Sequence, residues 1–343
     1  MKPPEIIAEL SCNHRGDLAR ALELVDAAKA AGANGIKVQC WEPERMVVDK
    51  TYVLPDGPWA GRNLFELYEE AHTPWSWIPA IFERAKRHSL NSIASVFDTE
   101  ALAYLEDIGC PRYKIASFEL VDTPLVEAVS KTGKPIILST GMATDVEIWR
   151  AVKAAGKYAN PPRDITLLHC VSAYPAPVDS MVLHRIPSLC AEFGVPVGLS
   201  DHSLGSIAAI VATTLGATMI EKHFTLSRAQ GGPDAPFSIE PAELGALVRA
   251  TRDAKNMVCW ETVPGDRHVE MPQQRLRRSL YWTTTKHVGD EILPTDFISA
   301  RPADGLPPSD ANHLIGRVVR DTVNRGDPVK PEHISLPLYK ETP

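Results

Sequence analysis

Eight short apolar runs, each followed by a stretch of helical periodicity, fill the first 257 residues. The runs are 5–10 (EIIAEL), 35–39 (GIKVQ), 92–96 (SIASV), 113–117 (YKIAS), 135–139 (PIILS), 165–170 (ITLLHC), 196–200 (PVGLS) and 219–224 (MIEKHF). The first gap shows the logic of the others. Leu18, Ala21, Leu22, Val25 and Ala28 recur at helical spacing, with Asp17 placed to cap the start and Gly32 the end. Further helices are predicted around Trp75–Lys86 and over Glu100–Ile108, Leu125–Lys131, Asp145–Ala155, Leu183–Phe193, Gly205–Leu215 and Pro241–Lys255.

Eight strand–helix units in about 250 residues is the arithmetic of a (β/α)8 TIM barrel, an α/β fold. A doubly wound open sheet would normally carry a glycine-rich phosphate turn after its first strand, and AELSCNHRG has no such pattern. The texture then changes. Residues 258–277 read as a linker, and 278–343 give short strands broken by Gly, Pro and Asp, as in a small β-rich second domain. Residues 41–73 form a long excursion with Trp41, Trp59 and Tyr68, and a loop of that length is expected to serve as a lid or an interface.

A net charge of −7 argues against nucleic acid or an anionic membrane as the main partner. The six cysteines, Cys12, Cys40, Cys110, Cys170, Cys190 and Cys259, lie far apart without CxxC spacing and are expected to be reduced thiols. MKPPEIIAEL carries Glu5 and Glu9 where a signal peptide would need an apolar run. The most apolar stretch, SIAAIVATTLGATMI, is too short to span a bilayer. A cytoplasmic protein is expected.

In a barrel of this kind the chemistry projects from the C-terminal strand ends, so what each run ends on is informative. Strand one ends near Glu9. Strand two carries Lys37 and Gln39 on one face, strand three ends at Ser95, and strand four holds Lys114 and reaches Ser117 and Glu119. Strand five ends at Ser139, and Ser172 and Tyr174 follow strand six. Strand seven offers Ser200 and His202 on one face with Asp201 opposed. Strand eight offers Glu221 and His223 with Lys222 opposed. Singly, each has an ordinary explanation: serines cap helices, lysines pair with carboxylates, and histidines bond within cores. Together, the two lysines and the serines at one rim suit a phosphorylated anion. Two histidines on neighbouring strands suit a hard divalent ion, Mn2+, Mg2+ or Co2+, since the closed Cys/His set of structural zinc is missing. A metal beside such a pocket can polarise a carbonyl while an enol phosphate attacks it.

The stretches IIAELSCNHRGDLARALELVDAAKAAGANGIKVQ, YKIASFEL, KPIILSTGMAT, LLHCVSAYPAP, VGLSDHSLG and IEKHFTL resemble the sialic acid synthase family. RRSLY and ARPADGLPP are similar to its C-terminal antifreeze-like domain. The resemblance implies condensation of phosphoenolpyruvate with an amino-sugar aldehyde, with a divalent metal, to a nine-carbon 2-keto acid and phosphate. It also implies a domain-swapped homodimer. By motif, His202 and His223 would hold the metal, and Lys37, Ser95, Lys114, Ser117, Ser139, Ser172 and Ser200 the phosphoenolpyruvate. Gln39, Glu119, Tyr174 and Asp234 would face the sugar, Glu9 would serve the water or proton steps, and Arg301 would reach in from the other subunit.

Three departures from the family pattern matter. Ser172 stands in place of asparagine, Val96 in place of proline, and Phe118 in place of the glycine of the neuraminic branch. They are most similar to the branch that makes pseudaminic acid from 2,4-diacetamido-2,4,6-trideoxy-altrose, with the neuraminic and legionaminic branches as alternatives. A class I aldolase would need Lys37 or Lys114 as a Schiff base. A metal-dependent hydrolase would want an HxH pair on strand one, which is missing, and a purely binding role leaves the polar strand ends unexplained.

Overall fold

The computed structural model describes residues 2–157, 164–258 and 270–335. Two compact units, Met1–Cys259 and Trp260–Pro343, divide the chain. In the first, β1 (Glu5–Glu9), β2 (Gly35–Cys40), β3 (Asn91–Val96), β4 (Tyr113–Ile115), β5 (Ile136–Ser139), β6 (Ile165–Cys170), β7 (Val197–Asp201) and β8 (Met219–His223) pair in sequence order, and β8 closes on β1. Every pairing is parallel. The expected barrel is present, with strand edges displaced by a residue or two. One displacement has consequences: β4 stops at Ile115, so Ser117 and Glu119 lie in the turn beyond it rather than on the strand.

The two faces of each strand have different tasks. Outward residues such as Ile6, Ile36, Val38, Ala94, Ile136, Leu138, Val197 and Leu199 join the helices in one large core. Inward, Ile7, Ile93, Ile137, Leu168 and Met219 form a separate apolar plug across the lower half of the barrel. The plug is dense enough to demand a glycine. A Cβ on Gly198 would stand 2.3 Å from the Met219 carbonyl oxygen and 2.7 Å from Leu168 Cδ2. Two residues further along each strand the inward positions turn polar: Glu9, Lys37, Ser95, Lys114, Ser139, Ser200 and Glu221 are all buried there. The plug below and the open end above confine these groups to the C-terminal mouth.

The helices start within two or three residues of the predicted positions, as with Thr123, Arg185 and Ile207 for the expected Leu125, Leu183 and Gly205. Asp17 caps Leu18–Ala31 by accepting from Ala19 N, and Gly32 ends it in the left-handed conformation at φ 92°. Thr144 and Glu147 make a reciprocal capping box at the start of Asp145–Ala154. The excursion 41–73 is more ordered than the sequence suggests. It contains the helices Pro43–Met46 and Leu64–Ala71, and Asn63 caps the second.

The second unit has one antiparallel pair, β9 (Ser279–Trp282) with β10 (Phe297–Ala300). Isolated bridges, such as Lys286 with Val323 and Val319 with Ile334, tie the rest around a core of Leu280, Trp282, Ile292, Leu314, Val319, Val323 and Val329. Much of the expected linker, together with Cys259, lies outside the described residues, and Met271–Gln274 forms one helical turn. Among the described residues, no helix is long and apolar enough to cross a membrane. Cys12, Cys40, Cys110, Cys170 and Cys190 are free thiols.

Candidate active site

The polar layer above the plug is a closed ionic network. Lys37 Nζ lies 2.8 Å from Glu9 Oε2 and 3.3 Å from Glu221 Oε1, and donates to Ser95 Oγ at 3.0 Å. Lys114 Nζ donates to both Glu221 oxygens, at 3.0 and 2.9 Å. Ser200 Oγ donates to Glu221 Oε1 at 3.3 Å. Period-2 geometry explains this convergence: alternate residues of β1, β2, β3, β4, β7 and β8 point to one axis.

Burial alone would depress both lysines. At Lys37 the Glu221 and Glu9 charges overcome it and hold the ammonium above its ordinary range. At Lys114 burial prevails, opposed by Glu221 and reinforced by the Lys37 charge, and the value falls. Burial likewise acts to raise Glu221, but Lys114 and Lys37 pull it down to about 2. The family resemblance gives both lysines to phosphoenolpyruvate, yet here each also neutralises a carboxylate.

Above this layer lies a cavity of about 310 Å³. Gln39, Glu119, Tyr174 and Asp234, the four residues expected to face the sugar, all line it, as does His223. Gln39 Nε2 donates to Glu9 Oε1 at 2.8 Å, which fixes the amide. Burial, with a smaller contribution from Asp122, pushes Glu119 up to about 7, and its Oε2 is buried without a hydrogen bond. Phe118 is 60% exposed at the cavity rim.

His202 and His223 approach with ring centroids 5.4 Å apart, and Tyr174 stacks against His202 at 4.2 Å. His202 Nδ1 lies 3.0 Å from the Val171 carbonyl oxygen. His223 Nδ1 is buried and makes no hydrogen bond, although Asp234 Oδ2 is 3.4 Å away. The residues that point outward instead, Asp201 and Lys222, form a buried ion pair of their own at 2.7 Å.

The remaining expected site residues are placed as follows. Ser139 Oγ is buried and unbonded. Ser117 Oγ accepts from Gly141 N at 3.1 Å, and Ser172 Oγ lies 3.8 Å from Cys170 Sγ. A Cβ on Gly141 would meet Ser172 Oγ at 2.2 Å and Ser117 Oγ at 2.7 Å, so a side chain there would turn both hydroxyls from their places. Glu9 is fully buried beneath the cavity rather than lining it. Arg301 belongs to the second unit, just after β10, and is exposed.

Several site groups are not legible from the strand ends alone. Strand parity puts Glu221 on the inward face, and the structure shows it bridging both lysines. Ser11, held at φ 43°, bonds Asp234 through Oγ and Glu9 through its amide. Ser11 lies two residues past Glu9, in the turn after β1, where strand parity no longer aims a side chain. Trp41 and Trp59, from the 41–73 excursion expected as a lid or an interface, line the cavity, as does Phe97, which no local pattern announces.

Comparison with known proteins agrees with this geometry. The sequence profile of the NeuB family matches residues 24–261, and that of the SAF domain matches 278–335. Pseudaminic acid synthase of Helicobacter pylori is 37% identical, over 98% of this chain and 100% of its own length. The Campylobacter jejuni protein of the same name (strain 81-176) is 38% identical over 95% of each chain. The crystal structure of N-acetylneuraminic acid synthetase from Leptospira borgpetersenii superposes with a TM-score of 0.71 at 32% identity, covering 79% of this chain and 90% of that one. A NeuB profile across the barrel, a SAF profile after it and near full-length identity to synthases place the chain: it belongs to the NeuB family.

Proposed function

We propose that this protein is a pseudaminic acid synthase, a nonulosonic acid synthase of the transferase type. It condenses phosphoenolpyruvate with 2,4-diacetamido-2,4,6-trideoxy-altrose and water, releasing phosphate. The observation that carries the reading is near full-length identity of 37–38% to synthases of that name, and it is supported by the gathering of Gln39, Glu119, Tyr174 and Asp234 on one cavity. In the reaction C3 of phosphoenolpyruvate bonds to the aldehyde carbon, water oxygen ends on C2, and phosphate leaves. The substrate implies a cytoplasmic site of action.

Lys37 and Lys114, with Ser95, Ser117, Ser139, Ser172 and Ser200, bind the anionic groups. The partnerless Ser139 hydroxyl fits a polar ligand. Gln39, Tyr174 and Asp234 orient the sugar. Glu119, poised near neutrality, holds or delivers a proton at its unbonded Oε2. Glu9 orients Gln39 and charges Lys37, so its contribution to the proton steps is indirect.

His202 and His223 fit a divalent Mn2+, Mg2+ or Co2+ ion. The His202 Nδ1 proton is satisfied by a backbone carbonyl, as in metal-bound histidines, and the other ring presents a buried Nδ1 that makes no hydrogen bond and stands 3.4 Å from Asp234 Oδ2. Among the described residues no third His, Cys, Asp or Glu completes such a set, so substrate and water would supply the other ligands. When bound, the ion supplies Lewis-acid polarisation of the aldehyde oxygen. In the homodimer, Arg301 of one subunit offers its planar fork of donors to the sugar in the other.

Phosphate release from phosphoenolpyruvate, measured against a panel of amino-sugars, tests the assignment. Turnover is expected to be fastest with the di-acetamido 6-deoxy altrose. Faster turnover with N-acetylmannosamine would move the protein to another branch.

A further inference from the structure

Residues 52–64 form a hairpin at the barrel mouth. Leu54 N donates to the Arg62 carbonyl at 3.0 Å, Gly61 N to the Leu54 carbonyl at 2.8 Å, and Leu64 N to the Tyr52 carbonyl at 2.9 Å. Val53 and Asn63 form an antiparallel bridge between the arms. The foot is fixed, because Asn63 both caps Leu64–Ala71 and donates Nδ2 to the Lys50 carbonyl at 2.8 Å. The tip reaches the opposite side of the barrel. Trp59 Nε1 donates to the Pro233 carbonyl at 3.1 Å, and its ring lies 5.6 Å from Tyr174 and 6.2 Å from Phe237.

The lining of the cavity beneath is of two kinds. Gln39, Glu119 and Asp234 bring polar atoms to it. Leu54, Trp59 and Leu64 of the hairpin bring an apolar wall. A ligand that suits both must carry hydroxyl or carbonyl groups together with methyl groups. A hydroxymethyl group against the apolar wall would lose its water without gaining a partner.

The geometry points to the hairpin as the wall that selects the sugar, with Trp59 as a specificity-determining residue that packs on its methyl-bearing edge. This rests on the proposed condensation and adds the group that distinguishes a 6-deoxy amino-sugar from its 6-hydroxy counterpart. Trp59 cannot act on phosphoenolpyruvate in the same way, because the lysines and serines lie below the cavity rather than on this wall.

The test measures phosphate release with the 6-deoxy sugar and a 6-hydroxy counterpart for wild type, Trp59→Ala and Trp59→Phe. Trp59→Ala is expected to raise KM for the 6-deoxy sugar about tenfold and to bring the preference between the sugars towards unity. KM for phosphoenolpyruvate should stay within about twofold, and Trp59→Phe should keep most of the preference. An unchanged preference in Trp59→Ala, or an equal rise in both KM values, overturns the inference. Should Trp59→Ala fail to fold, Leu54→Gln on the same wall decides by the same ratio. Wild type that turns over neither sugar would refute the condensation instead. Tryptophan fluorescence titration with each sugar, in the presence of phosphoenolpyruvate, then judges the hairpin separately. A quench seen in wild type and lost in Trp59→Phe supports it, and the absence of any such Trp59-dependent quench overturns it.

Discussion

His223 ends β8 with a buried, unbonded Nδ1, and His202 stands one residue past β7 with Nδ1 on a carbonyl. If they hold the metal, His202→Ala and His223→Ala should each lower condensation by about 10³-fold or more, since several kcal/mol of charge stabilisation are lost. Titration of Mn2+ followed by its paramagnetic resonance should show the lost affinity directly, and full binding by both variants would refute the assignment. Glu119 supplies a pH prediction. Its native value of about 7 lies above its ordinary 4.5, so the folded state holds the proton more tightly than the unfolded one. The associated stability is complete below about pH 4.5 and is lost as the pH rises through 7. Glu119→Gln should therefore be more stable than the parent at pH 8.5, by about 1–2 kcal/mol, with the gap closing by pH 4.5. Thermal melts at the two pH values decide this, and a constant gap would exclude it. Glu221→Gln acts oppositely. It strips the shared partner from two buried lysines and should cost about 3–5 kcal/mol in urea unfolding. These residues were partly legible in the sequence, because strand parity aims them at one axis. That one carboxylate serves both lysines was not, because Lys114 and Glu221 are 107 positions apart.

At the scale of elements, most strands divide their inner face into a lower half without polar groups and a polar upper half. β2 does so with Gly35, Lys37 and Gln39, and β8 with Met219, Glu221 and His223. The lower half accepts no added volume at Gly198. Gly198→Ala would drive a methyl against the Met219 backbone, which has no flexible end to yield. A loss of about 1–3 kcal/mol is expected in chemical denaturation, and an unaltered midpoint would show that the plug can relax. Strand and helix positions were readable because period and capping are local: Asp17, Gly32 and Thr144 act within a turn of their own helices. The end of β4 was less so. Ala116 onwards continues an apolar pattern but turns away, and the two site residues there are carried on a turn. The sequence marks 41–73 as an excursion expected to be a lid or an interface, but not the hairpin of 52–64 within it, whose order comes from Asn63, the paired arms and the distant Pro233 carbonyl.

At the scale of the whole molecule the proposed homodimer gives a sharp experiment. Mixing Arg301→Ala chains with His202→Ala chains joins two nearly inactive parents. If Arg301 serves the partner's barrel, each mixed dimer contains one site with both groups intact. After subunit exchange, random pairing should restore about a quarter of wild-type activity under two-fold symmetry. A mixture as inactive as its parents, with exchange verified by tagged chains, would place Arg301 in its own subunit's chemistry or outside it. The sequence by itself determined the barrel, its strand order, the β-rich second unit and the polar strand ends. Those rest on periodicity, caps and turn residues, all of which act over a few positions. Only the tertiary structure decided which charges neutralise each other, that Glu9 lies beneath the cavity, and that Trp59 spans its mouth. Such contacts join residues 107 or 174 positions apart, where local pattern carries no information and barrel closure sets the distance.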